Sequence, residues 1–100
     1  MVRKIIWTSS ALNDLKEIAH YILKDSVNYA AAFVREIKKA ARSLSTLSER
    51  GPVVPETEDP NVRELFVRSY RLIYQVTPSE VQILGVIHGA RNLKKNWETE

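Results

Sequence analysis

Residues 62–92, VRELFVRSYRLIYQVTPSEVQILGVIHGARN, constrain the fold more tightly than any other stretch of the chain. Tyr70, Leu72, Tyr74 and Val76 alternate along one run, and Val81, Ile83, Gly85 and Ile87 along the next. A period of two marks β-strands with one buried face. Thr77-Pro78-Ser79-Glu80 supplies the turn between them, because proline presets the φ angle that the second position of a type I or II turn requires. With Thr77 opposite Glu80, odd positions of the first strand share a face with even positions of the second. One face is then nearly all apolar. The other carries Arg71, Ile73, Gln75, Gln82, Leu84, Val86 and His88 and sets Arg71 diagonally near His88. Extending the pattern back through Arg68-Ser69 adds Glu64, Phe66 and Arg68 to the mixed face and Leu65 and Val67 to the apolar one. A bulge would exchange the faces beyond it, because a slip of one residue turns every side chain over.

Upstream, Ile5-Ile6-Trp7 reads as a first strand, followed by the hydroxyl cluster Thr8-Ser9-Ser10 as a helix cap. Ala11, Leu12, Leu15, Ile18, Ala19 and Ile22 then recur at helical spacing over residues 10–24, with Asp14 and Glu17 early in the helix, where its dipole favours negative charge. Asp25-Ser26 is a second capping signal. It opens the stripe Ala30, Phe33, Val34, Ile37, Ala40, Ala41, Leu44 and Leu47, and that helix is expected to end by Gly51-Pro52. So short a connection forces an antiparallel helical hairpin, whose joined stripes cover the apolar sheet face. Residues 50–61 hold three prolines, one glycine and the acidic trio Glu56, Glu58 and Asp59, and read as a mobile connecting loop. The expected architecture is a single α+β domain over residues 1–100, ordered β-α-α-β-β-β, with a small antiparallel sheet.

A chain of 100 residues buries a modest core without staples. It has no cysteine, which excludes disulfides, thiolate metal sites and cysteine nucleophiles, and two histidines alone make a poor metal site. No metal or other cofactor is expected. The opening residues are too short an apolar run for a signal peptide or a spanning helix, so a cytoplasmic protein is expected. Net charge is +3, a mild excess that suits an acidic protein or a nucleic acid without selecting either. Between residues 62 and 97, Arg63, Arg68, Arg71, Arg91, Lys94 and Lys95 stand against only Glu64 and Glu80, which places the expected positive field on the sheet half. Arg35, Lys38, Lys39 and Arg42 fall at i, i+3, i+4 and i+7 of the second helix and read ordinarily as a solvated face, with a nucleic-acid surface as the less favoured reading.

Several of these segments match one family. Trp7-Thr8-Ser9-Ser10-Ala11-Leu12-Asn13-Asp14-Leu15, Arg63-Glu64-Leu65, Tyr70-Arg71-Leu72-Ile73-Tyr74 and Ile87-His88-Gly89-Ala90-Arg91, in this order and spacing, resemble the ParE/RelE superfamily, the toxins of type II toxin-antitoxin operons, which include plasmid stabilisation proteins. The resemblance spans almost the whole chain and implies a cognate antitoxin as partner. It also implies one of two activities. RelE-like members are mRNA interferases that cut messenger RNA in the ribosome, and ParE-like members poison DNA gyrase. RNA cleavage by 2′-hydroxyl attack needs a proton acceptor, cations for the crowded phosphate and an acid for the leaving oxygen. Arg71 and Arg91 match two RelE-like catalytic arginines, and His88 is the one nearby group whose ordinary pKa suits proton transfer. Trp97, however, aligns where RelE-like enzymes carry a tyrosine, and indole exchanges no proton at neutral pH. A lysine pair expected before the Tyr-Arg strand is replaced by Arg63-Glu64-Leu65. The pattern therefore leans toward a non-catalytic gyrase inhibitor, with Arg63, Arg68, Arg71, Arg91, Lys94, Lys95 and Trp97 as residues contacting the target or a nucleic acid. The plainer reading stands beside it: Arg71 forms a cross-strand ion pair with Glu64, His88 is a structural strand-end residue, and Trp7 and Trp97 are packing residues.

Overall fold

The computed structural model describes residues 2–89. Strand β1 (Lys4–Trp7) leads into helix α1 (Ser9–Leu23) and helix α2 (Val27–Ser43), after which β2 (Val62–Val67), β3 (Tyr70–Val76) and β4 (Glu80–His88) complete the sheet. Both helices begin where the hydroxyl caps predict. Thr8 and Ser26 accept hydrogen bonds from the amides of Ala11 and Tyr29, satisfying donors that have no partner inside the helix.

The four strands lie in the order β1-β4-β3-β2. The sheet is mixed rather than purely antiparallel, because β1 pairs parallel with β4 while β2-β3-β4 form an antiparallel meander. A helical crossover permits this pairing: the chain leaves β1, runs through both helices and returns to the far side of the sheet. Phe33, Ile37, Ala41 and Leu44 of the α2 segment meet Leu72, Tyr74, Val81, Ile83 and Val86 of the sheet, with Ala11 and Leu15 of α1 closing the same core. Leu65 and Val67 pack against it, as their alternation predicts.

The β3-β4 register holds from the turn as far as Tyr74↔Ile83 and then shifts, so that Ile73 faces Gly85 and Arg71 faces Ile87. One extra residue in β4 is a β-bulge, and glycine inside a strand is a common mark of one. Asp14 holds it in place. Its carboxylate accepts a hydrogen bond from the Val86 amide at 3.0 Å, and the Thr8 hydroxyl donates to the Ile83 carbonyl at 2.7 Å, so the start of α1 is fastened to the irregular stretch. The face exchange corrects the sequence expectation beyond Leu84. Val86 lies in the core under the helices and Ile87 on the far face.

The second helix stops at Ser43, and Leu47 lies beyond it, exposed. Gly51 is not a left-handed helix cap, since no glycine among the described residues has a positive φ. It is there for a close approach: a Cβ at Gly51 would fall 2.1 Å from the Glu64 carbonyl oxygen and 2.8 Å from the Tyr74 hydroxyl. The Gly51 amide donates to that hydroxyl at 3.0 Å, and burial pushes the Tyr74 phenol above its usual pKa. From there residues 52–54 run along β2, and a turn carries the chain on to Glu56. The Glu64 amide donates to the Pro52 carbonyl, the Val54 amide donates to the Val62 carbonyl, and Val53 bridges Arg63. Val54 is fully buried in a second apolar cluster with Val62 and Ile73, on the face away from the helices. The segment expected to be a mobile connection is thus a cover over β2 and the far face of the sheet.

Candidate functional site

Arg71 sits on that far face beneath the cover. It is 4 % exposed, and each part of its guanidinium is engaged by a carboxylate. Nε donates to Glu64 at 2.6 Å, Nη1 to one oxygen of Glu56 at 2.8 Å and Nη2 to the other at 2.7 Å. The bidentate fork on Glu56 is the strongest geometry available to an arginine-carboxylate pair. The Arg71 pKa is raised, first by Glu56 and then by Glu64, against the opposing effect of burial. Glu64 reaches Arg71 because β2 and β3 pair Phe66 with Arg71 and Glu64 with Ile73, which sets the two diagonally on one face. The cross-strand pair expected from the alternation is present. Glu56 is the residue that the alternation could not supply. It was legible only as one member of an acidic trio in a chain otherwise short of acids near the sheet.

His88 does not join Arg71. The bulge turns it to the helix side, where its ring stands edge-on to Tyr70 with centroids 5.6 Å apart, while Tyr70 packs on Phe33 at 5.1 Å. The predicted diagonal approach of Arg71 and His88 is therefore absent, and the two belong to opposite faces of the sheet.

The other described arginines of the sheet are also engaged within the fold. Arg63 donates through Nη1 to the Gly51 carbonyl at 2.8 Å and the Glu49 carbonyl at 3.3 Å, tying down the start of the cover. Arg68 occupies the turn between β2 and β3 with φ 56, a left-handed conformation unfavourable for any residue with a Cβ. Contacts with α2 hold it there. It forms an ion pair with Glu36 at 2.5 Å and places its guanidinium carbon 4.6 Å from the centre of the Tyr29 ring. Glu36 is accordingly pulled below its usual pKa, chiefly by that hydrogen bond, and Arg68 is raised. Arg68 thus faces α2 rather than the mixed face expected for it. Arg91, Lys94, Lys95 and Trp97 lie outside the described residues.

Charge compensation moves the positive field. Arg68 and Arg71 are paired to three carboxylates, whereas Arg35, Lys38, Lys39 and Arg42 on α2 are exposed and enter none of the ion pairs among the described residues. Among those residues no group of three histidine or acidic side chains is placed to hold a metal ion, and no helix is long and apolar enough to cross a membrane.

A helical hairpin over one face of a small mixed sheet is a fold this chain shares with toxins of toxin-antitoxin pairs. The fold matches the P. aeruginosa chromosomal ParDE toxin-antitoxin system, with a TM-score of 0.71 at 27 % identity over 87 % of this chain and 96 % of the other. It also matches the Mycobacterium tuberculosis RelBE2 toxin-antitoxin complex, with a TM-score of 0.57 at 24 % identity over 88 % of this chain and 99 % of that one, a likeness of fold alone. In sequence, the chain is 36 % identical to Toxin RelE2 of Caulobacter vibrioides over 89 residues, covering 88 % of this chain and 97 % of the relative. Residues 5–93 match the family described as ParE toxin of type II toxin-antitoxin system, parDE. The chain belongs to that family, within the ParE/RelE superfamily.

Proposed function

We propose that this toxin arrests growth by inhibiting DNA gyrase, without catalysis of its own, and that a cognate antitoxin neutralises it. The observation that carries the reading is the state of Arg71. A cation that stabilises a phosphorane-like transition state must face the reacting phosphate and keep its charge available. Arg71 instead spends all three nitrogen positions on Glu56 and Glu64 under the residue 52–56 cover. His88, the proton carrier that the alternative requires, faces the other side of the sheet. The replacement of the RelE-like tyrosine by Trp97 points the same way.

An antitoxin has surface available to it. Tyr21, Leu23, Val27 and Tyr29 are exposed around the junction of α1 and α2, and β1 ends the sheet with no strand beyond it among the described residues. An exposed strand edge suits a partner that adds a strand, and exposed apolar side chains suit one that lays down an amphipathic helix. The second reading, ribosome-dependent cleavage of messenger RNA, draws on the 36 % identity to a relative named Toxin RelE2. It requires Glu56 to release Arg71 on the ribosome.

Purified protein added to gyrase, ATP and relaxed plasmid is expected to leave the plasmid relaxed in proportion to toxin concentration, and to leave messenger RNA on translating ribosomes intact. Normal supercoiling at a saturating excess, together with new transcript ends at the ribosomal A site, would assign the toxin to the second reading.

A further inference from the structure

We propose that the outward face of α2 is a binding surface for the phosphate backbone of duplex nucleic acid. Taking the buried residues Ala30, Phe33, Ile37 and Ala41 as the inward direction, helical geometry points Asn28, Ala31, Ala32, Arg35, Lys38, Lys39 and Arg42 outward. Four of these are exposed cations, and the one acid beside them is Glu36, which flanks the row opposite Lys38. The Glu36 carboxylate is paired with Arg68 of the β2-β3 turn, so its charge is compensated beside the row. The exposed side of α1 sets Lys16 against Glu17, so the two helices differ in net positive charge.

Shape and spacing fit a polyanion. From Arg35 to Arg42 the cations extend over roughly 10 Å of helix, at about 1.5 Å per residue. Duplex DNA presents a phosphate about every 3.4 Å of axis along one strand, so the row reaches about three in succession. Ala31 and Ala32 precede the cations and keep the helix surface low there, and a shallow groove of about 410 Å³ lined by Ala32, Arg35, Glu36, Lys38, Lys39 and Arg42 runs along it.

The same features argue against an acidic peptide as occupant. A protein interface draws its affinity from desolvated aromatic or aliphatic anchors at its centre, and this face has none larger than alanine. Backbone binding to nucleic acid needs no such centre, because its driving force is the release of condensed counterions. The surface is separate from the Arg71 side of the sheet, and the inference stands whichever target the toxin has.

The test is fluorescence anisotropy of the full chain with a labelled 20-base-pair duplex across a salt series, comparing the wild type with R35Q/K38Q/K39Q/R42Q and with the charge-preserving R35K/K38R/K39R/R42K. All four positions are exposed, so the fold should survive and is checked by circular dichroism. The glutamine variant is expected to bind about 100-fold more weakly at low salt, with a log-log salt slope shallower by about 3 units, since each lost phosphate contact removes about 0.9. The charge-preserving variant is expected to keep both. An unchanged slope in the glutamine variant, no binding by the wild type at low salt, or tighter binding to polyglutamate than to the duplex would each overturn the proposal.

Discussion

Arg71→Ala is expected to lower the unfolding free energy by about 3–5 kcal/mol, because it leaves Glu56 and Glu64 packed against the sheet without the guanidinium that compensates them. The side chains of those acids are 15 % and 8 % exposed, so water cannot take over the role fully. For a domain of this size a loss of that order lowers the melting temperature by more than about 12 °C. Arg71→Lys should recover only part of it, since an ammonium cannot reproduce both the fork on Glu56 and the separate Nε contact with Glu64. Urea denaturation of the three proteins checks this directly. An Arg71→Ala midpoint within error of the wild type would mean that the cluster contributes little to the fold.

Gly51→Ala is expected to cost about 3 kcal/mol, at the upper end of the usual range for overpacking. The reason is the identity of the obstructing atom. The new methyl would meet a main-chain oxygen of β2 at 2.1 Å, which cannot swing away as a side chain would. Relief requires Gly51 to lift from the sheet, and that breaks its hydrogen bond to Tyr74 and loosens Pro52 and Val54 from β2. Because the same segment carries Glu56, the Arg71 cluster should loosen with it. Hydrogen exchange is expected to show lost protection at the amides of Gly51, Val54 and Glu64, and retained protection there would contradict the steric account.

Much of the architecture was legible in the residues because it rests on local periodicity. The alternation of Tyr70, Leu72 and Tyr74, the caps at Thr8 and Ser26, and the stripe from Ala30 to Leu44 each arise from a repeat that one face of one element imposes. What escaped depends on contacts between distant segments. The bulge in β4 is fixed by Asp14, 72 residues earlier in the chain, and nothing in the alternation of β4 announces it apart from Gly85. That single irregularity moved Val86 and His88 to the helix side and dissolved the expected pairing of His88 with Arg71. Glu56 was hidden for a similar reason: prolines and acids in sequence suggest a loop, while the Val54 side chain and the Gly51 contact that seat the loop on the sheet act only after folding. Arg63, Arg68 and Arg71 counted as positive charge in the sequence, yet their nearest partners in space are carbonyls and carboxylates of other elements. The cations of α2, read as an ordinary solvated face, are exposed and enter none of the ion pairs among the described residues.

The central claim is that Arg71 holds the toxin together rather than carrying out its chemistry, and it is tested by removing the charge while keeping the fold. Replacing a buried ionic cluster by apolar residues of similar volume is often neutral or stabilising, so R71M/E56L/E64L offers a folded protein with no cation at that position. Its growth arrest on induction, measured alongside a melting curve, is predicted to match that of the wild type. A variant that melts like the wild type but lets cells grow unimpeded would contradict the claim and place Arg71 in the reaction itself.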